Sequence, residues 1–64
     1  MNARAKAIQD LNAAGYMFKR NGANHDIYRN PETGRMIPLK RHDFDENDLR
    51  YIRKEIKQYQ KDQD

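Results

Sequence analysis

His25 and the cations near it are the residues of this 64-residue sequence most suited to chemistry. Histidine titrates close to neutral pH and often transfers protons in enzymes. RNA carries its own nucleophile, because its 2′-hydroxyl attacks the neighbouring phosphate once a base removes the proton and cations stabilise the phosphoryl charge. The alternative is that His25 is a surface histidine at a strand end without a role. The candidate phosphate-binding cations are Lys19, Arg20, Arg29, Lys40 and Arg41.

His42 is the second histidine, and it precedes an acidic stretch that contains Asp43 and Asp45. It is a candidate for the acid that protonates the leaving group, and a local pair with one of these aspartates is the alternative. A metal site built from His25, His42 and an aspartate is a further alternative. The sequence has no cysteine and no recognisable metal-ligand spacing, so we predict neither a metal nor a cofactor.

The charge is concentrated in the middle of the chain. Lys and Arg exceed Asp and Glu by 13 − 10 = +3. Residues 16–41 hold six cations and two acids, whereas residues 42–64 hold five cations and seven acids. A basic middle favours a polyanionic partner such as nucleic acid, with simple solubility as the alternative.

Composition limits where the protein acts. Hydrophobic and charged residues each make up 36% of the sequence, which is too polar for a membrane protein. No apolar run approaches the roughly 20 residues of a spanning helix, and the N-terminus lacks the apolar stretch of a signal peptide. We therefore expect a cytoplasmic protein with one small domain over residues 1–64.

The local patterns predict a helix at each end of the chain. The first covers residues 2–14, with Asn2 as N-cap and Gly15 at its C-terminal end. The second begins at Asp45, where Asp48 completes a capping box and Phe44 with Leu49 forms a hydrophobic staple. Residues 57–64 are polar and are expected to fray. The apolar stripes of the two helices are Ala7, Ile8, Leu11 and Ala14 in the first, and Leu49, Ile52, Ile56 and Tyr59 in the second.

Three strands are predicted between the helices, over residues 16–20, 25–30 and 35–41. Asn21-Gly22 favours a tight hairpin turn, and residues 30–34 have the composition of a second turn. Pro38 indicates that the third strand lies at an edge of the sheet. The fold class is therefore α+β, with the order α-β-β-β-α, an antiparallel three-stranded sheet and both helices on one of its faces.

The direction of the second strand determines where His25 points. If Ile27 faces inward, His25 shares its face and lies at the rim, and Asp26 faces away from the histidine. Aromatic side chains on the sheet could stack on bases, with packing in the small core as the alternative. These aromatic residues are Tyr16, Phe18 and Tyr28.

The segment from Gly22 to Pro38, GANHDIYRNPETGRMIP, resembles the HicA (YcfA-type) toxins of bacterial toxin–antitoxin systems. The shared features are a glycine shortly before a histidine, an aliphatic–aromatic pair, a Pro-Glu-Thr-Gly turn and an Ile-Pro strand. The resemblance continues through Arg41-His42 into the last helix. It implies a fold like that of double-stranded-RNA-binding domains and an endoribonuclease that cleaves single-stranded mRNA and so stops translation and growth.

The same resemblance implies that His25 is the catalytic residue. It also implies a HicB-type antitoxin as partner, in a toxin–antitoxin hetero-oligomer. Two other functions stay open on the sequence alone, namely a non-catalytic RNA-binding module and a subunit that only docks a protein. The acidic start of the second helix counts against the binding module, because that helix usually offers lysines to the phosphates of double-stranded RNA in such folds.

Overall fold

A computed structural model of the chain describes residues 1–59. The elements are α1 (Ala3–Ala13), β1 (Met17–Asn21), β2 (His25–Arg29), β3 (Met36–Lys40) and α2 (Glu46–Gln58). This order confirms the predicted α+β class. Of the tail predicted to fray, residues 57 and 58 belong to α2, and residues 60–64 lie outside the described residues. Within residues 1–59, neither helix has the length and apolar character needed to cross a membrane.

The first helix has the predicted caps at both ends. Asn2 accepts a hydrogen bond from the Ala5 N–H at 2.8 Å. At the other end Gly15 has a φ of 95°, and the Tyr16 N–H donates to the Leu11 carbonyl at 2.8 Å. With the Gly15 N–H on the Asn12 carbonyl, this completes a Schellman motif. The motif turns the chain so that the Tyr16 side chain enters the core.

The strands form an antiparallel sheet in the order β1-β2-β3. The pairing of β1 with β2 shifts between Phe18 and Arg20, which leaves Lys19 in a bulge. Pro38 lies at the centre of β3, opposite Ile27. Because β3 pairs only with β2 among the described residues, the prediction of an edge strand is confirmed.

The link between β1 and β2 does not use the tight turn that Asn21-Gly22 favours. Three residues, 22–24, separate the strands, and the Gly22 N–H donates to the His25 carbonyl at 2.7 Å. Gly22 does not adopt the positive φ that an Asn-Gly turn uses, because the longer loop needs no left-handed residue. A glycine is nevertheless required, since a Cβ there would lie 2.8 Å from the His25 carbonyl oxygen.

Both helices pack on one face of the sheet, as predicted, and the core lies between the helices and the sheet. The inward residues of β2 and β3 include Tyr28, which faces its cross-strand partner Ile37. Ile27 does not take the inward position that the sequence allows for it. Tyr28 takes that position because its ring buries more apolar surface and meets Phe18 edge-on at 5.9 Å. The fully buried large side chains are Leu11, Ile37, Leu39 and Leu49.

The second helix has the predicted capping box. The Asp45 carboxylate accepts the N–H groups of Asn47 and Asp48, and the Asp48 carboxylate accepts the Asp45 N–H at 3.0 Å. Phe44 packs partly buried against the core. The Arg53 guanidinium joins α2 to α1 through Asp10. The predicted stripe residues Leu49, Ile52 and Ile56 are buried, and Tyr59 is half-buried beneath the Arg35 guanidinium at 3.6 Å.

Candidate functional site

The sheet face that carries no helix, called the open face here, holds four of the predicted site residues. His25 lies directly opposite Lys40, and Arg20 lies opposite Ile27. Opposed residues share a face and alternate residues return to it, so Arg29 also lies on this side. Because Ile27 does not face inward, His25 lies on the open face and not on the side of the helices.

The backbone of His25 is fixed while its side chain is exposed. Its carbonyl oxygen accepts the Gly22 N–H at 2.7 Å and the Arg41 Nη1 at 3.3 Å. On the other side its strand pairs with β3 at Lys40. The imidazole therefore projects into solvent from a rigid strand end, which is a common arrangement for functional side chains.

Asp26, the next residue, points toward the helices and joins four parts of the fold. Its carboxylate accepts hydrogen bonds from Arg4 at 2.7 Å, Asn21 at 2.7 Å and Arg41 at 2.9 Å. The side chain is only 14% exposed. The Arg41 hydrogen bond, and after it that of Asn21, lowers the pKa of Asp26, against an opposing effect of partial burial. Asp26 is thus a structural anion, and it faces away from His25 as predicted.

Arg41 holds the loop that leads to His25. Besides Asp26, its Nη2 donates to the carbonyls of Gly22 at 2.9 Å and Ala23 at 2.6 Å. A guanidinium suits this position because its planar fork serves several acceptors at once. Its predicted contact with phosphate stays a prediction, and a phosphate there would compete with Asp26.

Replacing Arg41 with alanine is expected to loosen this loop without unfolding the chain. Without Arg41, nothing ties the carbonyls of the loop to the Asp26 carboxylate. The hydrogen bond from the Gly22 N–H to the His25 carbonyl should then open more often, so the Gly22 amide should exchange with deuterium faster. Arg41→Lys should restore little, since one ammonium cannot reach all these acceptors. Hydrogen exchange followed by NMR measures the effect, and Arg50→Ala on the exposed side of α2 is the control. Unchanged Gly22 exchange in Arg41→Ala would contradict the assignment.

The lowered pKa of Asp26 predicts an acid-sensitive fold. A carboxylate whose folded pKa lies below its unfolded value stabilises the fold above the unfolded pKa, near about 3.9 for aspartate. That contribution is lost as the pH falls through the lower, folded pKa. Asp26→Asn should therefore lower the free energy of unfolding at neutral pH. The variant should also lose less of that free energy than the parent as the pH falls from about 5 to about 2. Urea denaturation across this range is the measurement. Glu32→Gln, an exposed carboxylate in a turn, should leave the profile unchanged.

A cleft of about 230 Å³ begins beside His25 and reaches the first turns of α2. Its walls come from elements that are far apart in the sequence. They are His25, Pro38, Lys40, Phe44, Asp48 and Tyr51, with Ile52 alongside. The cleft combines an exposed histidine, an ion pair and aromatic rings, and we name it the His25 cleft.

The ion pair in the His25 cleft joins β3 to the start of α2. Lys40 Nζ lies 3.1 Å from Asp48 Oδ2. The Asp45 N–H, and after it Lys40, lowers the pKa of Asp48, so this carboxylate stays charged at neutral pH. Lys40 is therefore partly neutralised as a phosphate-binding cation.

The other predicted phosphate-binding cations differ in this respect. Lys19, Arg20 and Arg29 make no ion pair within residues 1–59. Lys19 lies in the bulge of β1, and the other two lie on the open face. Arg20 and Arg29 leave positive charge on the same face as the histidine for an anionic ligand.

The remaining candidates lie apart from this arrangement. His42 is exposed in the segment between β3 and α2, and its side chain makes no hydrogen bond among the described residues. Tyr16 and Tyr28 are buried and pack in the core, whereas Phe18 is half exposed. Within residues 1–59, no three His, Asp or Glu side chains converge as metal ligands would.

A larger depression of about 380 Å³ lies between the two helices, away from His25. The Asp10–Arg53 ion pair lines it, together with Ala13, Ala14 and Ile56. It contains no histidine, so the His25 cleft is the better candidate for chemistry. The sequence did not indicate that Phe44 and Tyr51 line this cleft. Their positions in the sequence place them just before and within the second helix, and nothing in that pattern relates them to His25.

Comparisons of the chain with protein-family models, with curated proteins and with solved structures found no match.

Proposed function

We propose that this protein is a toxin endoribonuclease that cleaves single-stranded mRNA in the cytoplasm and thereby stops translation and growth. The observation that supports this most is the exposed imidazole of His25, held on a fixed backbone at the mouth of a cleft, on the same sheet face as Arg20 and Arg29. The sequence resemblance to HicA toxins points in the same direction.

In this proposal His25 acts as the general base. It takes the proton from a 2′-hydroxyl, whose oxygen then bonds to the adjacent phosphorus while the bond to the 5′-oxygen breaks. The products are a 2′,3′-cyclic phosphate and a 5′-hydroxyl end. The departing oxygen takes a proton from an acid, for which His42 stays a candidate. This route uses the nucleophile that RNA supplies, so it requires no metal.

The cations have separate roles in the proposal. Arg20 and Arg29 share the open face with His25 and are available for the phosphate backbone, with Lys19 beside them. Stabilising the extra negative charge on the reacting phosphate often makes the largest contribution to the rate enhancement. Arg41 acts as a positioning residue, because it holds the loop that precedes His25.

The open face also suits a protein partner of the HicB antitoxin type. Arg29 lies between Met17 and Met36 across the three strands, and these methionines are 59% and 50% exposed. An apolar surface around a cation matches the usual centre of a protein interface. A partner bound there would cover the cations that we assign to RNA, and this would neutralise the toxin in a hetero-oligomer.

The test is cleavage of a defined single-stranded RNA by the purified chain in the presence of EDTA. We expect fragments with 2′,3′-cyclic phosphate ends, and growth arrest when the protein is expressed in bacteria. The same oligonucleotide with 2′-deoxy sugars should bind but stay intact, because it lacks the nucleophile. RNA binding without cleavage would instead identify a non-catalytic module, and the absence of both would favour a subunit that only docks a protein.

A further inference from the structure

We propose that the His25 cleft binds one unpaired nucleobase of the substrate and that it prefers a base with an exocyclic amino group. This inference rests on the proposed function, since it assigns a specificity site next to the reacting phosphate. It is carried by the shape of the cleft, by its aromatic walls and by the hydrogen-bonding state of Asp48.

The aromatic walls provide surfaces for stacking. Tyr51 is 58% exposed on α2, although neighbouring Ile52 is buried in the core. Phe44 is half-buried on the adjoining segment, and both rings line the same cleft. Proteins hold unpaired bases mainly by stacking them on such rings. Tyr51 therefore has a surface to offer that the fold itself does not use.

Asp48 provides the preference among bases. Its Oδ2 accepts both the Asp45 N–H at 3.0 Å and the Lys40 ammonium at 3.1 Å. Its Oδ1 accepts no hydrogen bond within residues 1–59. An ionised carboxylate only accepts hydrogen bonds, so it selects donors. Cytosine, adenine and guanine each carry an amino group. Uracil has only the N3–H, which lies between two carbonyl oxygens that the carboxylate repels.

Position favours a base over a peptide side chain as the occupant. His25 lines both the cleft and the exposed end of the sheet, so a phosphate at its imidazole brings the adjoining base to the cleft opening. Lys40, the cross-strand neighbour of His25, lies between these two places. A cleft of about 230 Å³ is large enough for one planar ring system.

The experiment is an NMR titration of the labelled full chain with cytidine 3′-monophosphate and, separately, uridine 3′-monophosphate. The two probes share ribose and phosphate and differ in the amino group at the pyrimidine 4-position. We expect the cytidine probe to bind on the order of tenfold more tightly, which is the worth of one good hydrogen bond to a charged group. The shifts should centre on Tyr51, Phe44 and Asp48.

Two variants with matched controls test the contacts. Tyr51→Ala should weaken both probes severalfold, whereas Gln58→Ala at the far end of α2 should not. Asp48→Asn should remove the preference for cytidine, whereas Glu46→Gln in the same helical turn should keep it. Circular dichroism verifies that each variant is folded. Should Asp48→Asn unfold, the ratio of the two affinities in the parent protein still decides the matter.

Equal affinity for the two probes, or shifts confined to Arg20 and Arg29 on the open face, would overturn the base site. Shifts in the cleft on adding an aromatic peptide, but not with either nucleotide, would assign it to a protein. Failure of the proposed function is distinguishable: the probes would bind the cleft with the expected preference, yet the protein would not cleave RNA.

Discussion

Replacing His25 with alanine is expected to lower the rate of RNA cleavage by roughly 10²–10⁴-fold, the usual contribution of one positioned proton-transfer residue. The fold should persist, because the side chain is exposed and its structural contacts are made by its backbone. RNA binding should also persist, since Arg20 and Arg29 remain. The measurement is single-turnover cleavage of a labelled RNA, with binding followed separately on the 2′-deoxy analogue.

Two comparisons sharpen this result. Asn24→Ala changes an exposed side chain of the same loop and should leave the rate unchanged. His42→Ala separates the mechanisms, because a loss comparable to that of His25→Ala would identify His42 as the acid. A His25→Ala protein that cleaves RNA and arrests growth like the parent would refute the proposed mechanism.

Truncation of Leu39 to alanine should have the largest effect on stability. The side chain is fully buried on β3, opposite Asp26 and within the core shared by the helices. Leu-to-Ala changes at such sites cost about 2–5 kcal/mol. Domains of this size bury only about 60% of the surface that the unfolded chain exposes, and they have little stability to spare. We therefore expect a largely unfolded protein at 37 °C, measured by thermal and urea denaturation.

The matched control lies on the same strand. Met36→Ala removes a side chain of similar size that is 50% exposed on the open face, and it should change stability only slightly. Similar losses of stability for the two variants would contradict the assignment of Leu39 to the inward face and Met36 to the open face.

The elements whose signals are local in sequence were predictable. The capping box at Asp45, the cap at Asn2 and the left-handed Gly15 each depend on residues within one turn of a helix. The edge position of β3 followed from the missing N–H of Pro38. Such features need no knowledge of tertiary packing, and the structure confirmed them.

The inward face of β2 was not predictable, because Ile27 and Tyr28 are adjacent and either suits a core. The choice depends on Phe18 of β1, which the inward Tyr28 ring contacts. The anchoring of the loop before His25 was missed for a similar reason. Arg41 and Asp26 are separated by 15 residues, and Arg4 and Asp26 by 22.

The His25 cleft could be predicted only in part. The sequence offered His25 from its residue type and from the resemblance, and Lys40 from its residue type alone. Phe44 and Tyr51 join them because α2 passes the end of β3, and that crossing depends on helix packing. No spacing within the chain encodes the distance between a ring on α2 and an imidazole on β2.

Both borders of the sheet discourage the addition of a foreign strand. The bulge at Lys19 disrupts the regular ladder of β1, and proline interrupts the row of donors on β3. A small sheet with two edge strands would otherwise be prone to cross-chain pairing and aggregation. The sheet therefore contacts other macromolecules through its side chains and not by pairing its edge strands with theirs. Single substitutions can then change which partner binds without disturbing the sheet.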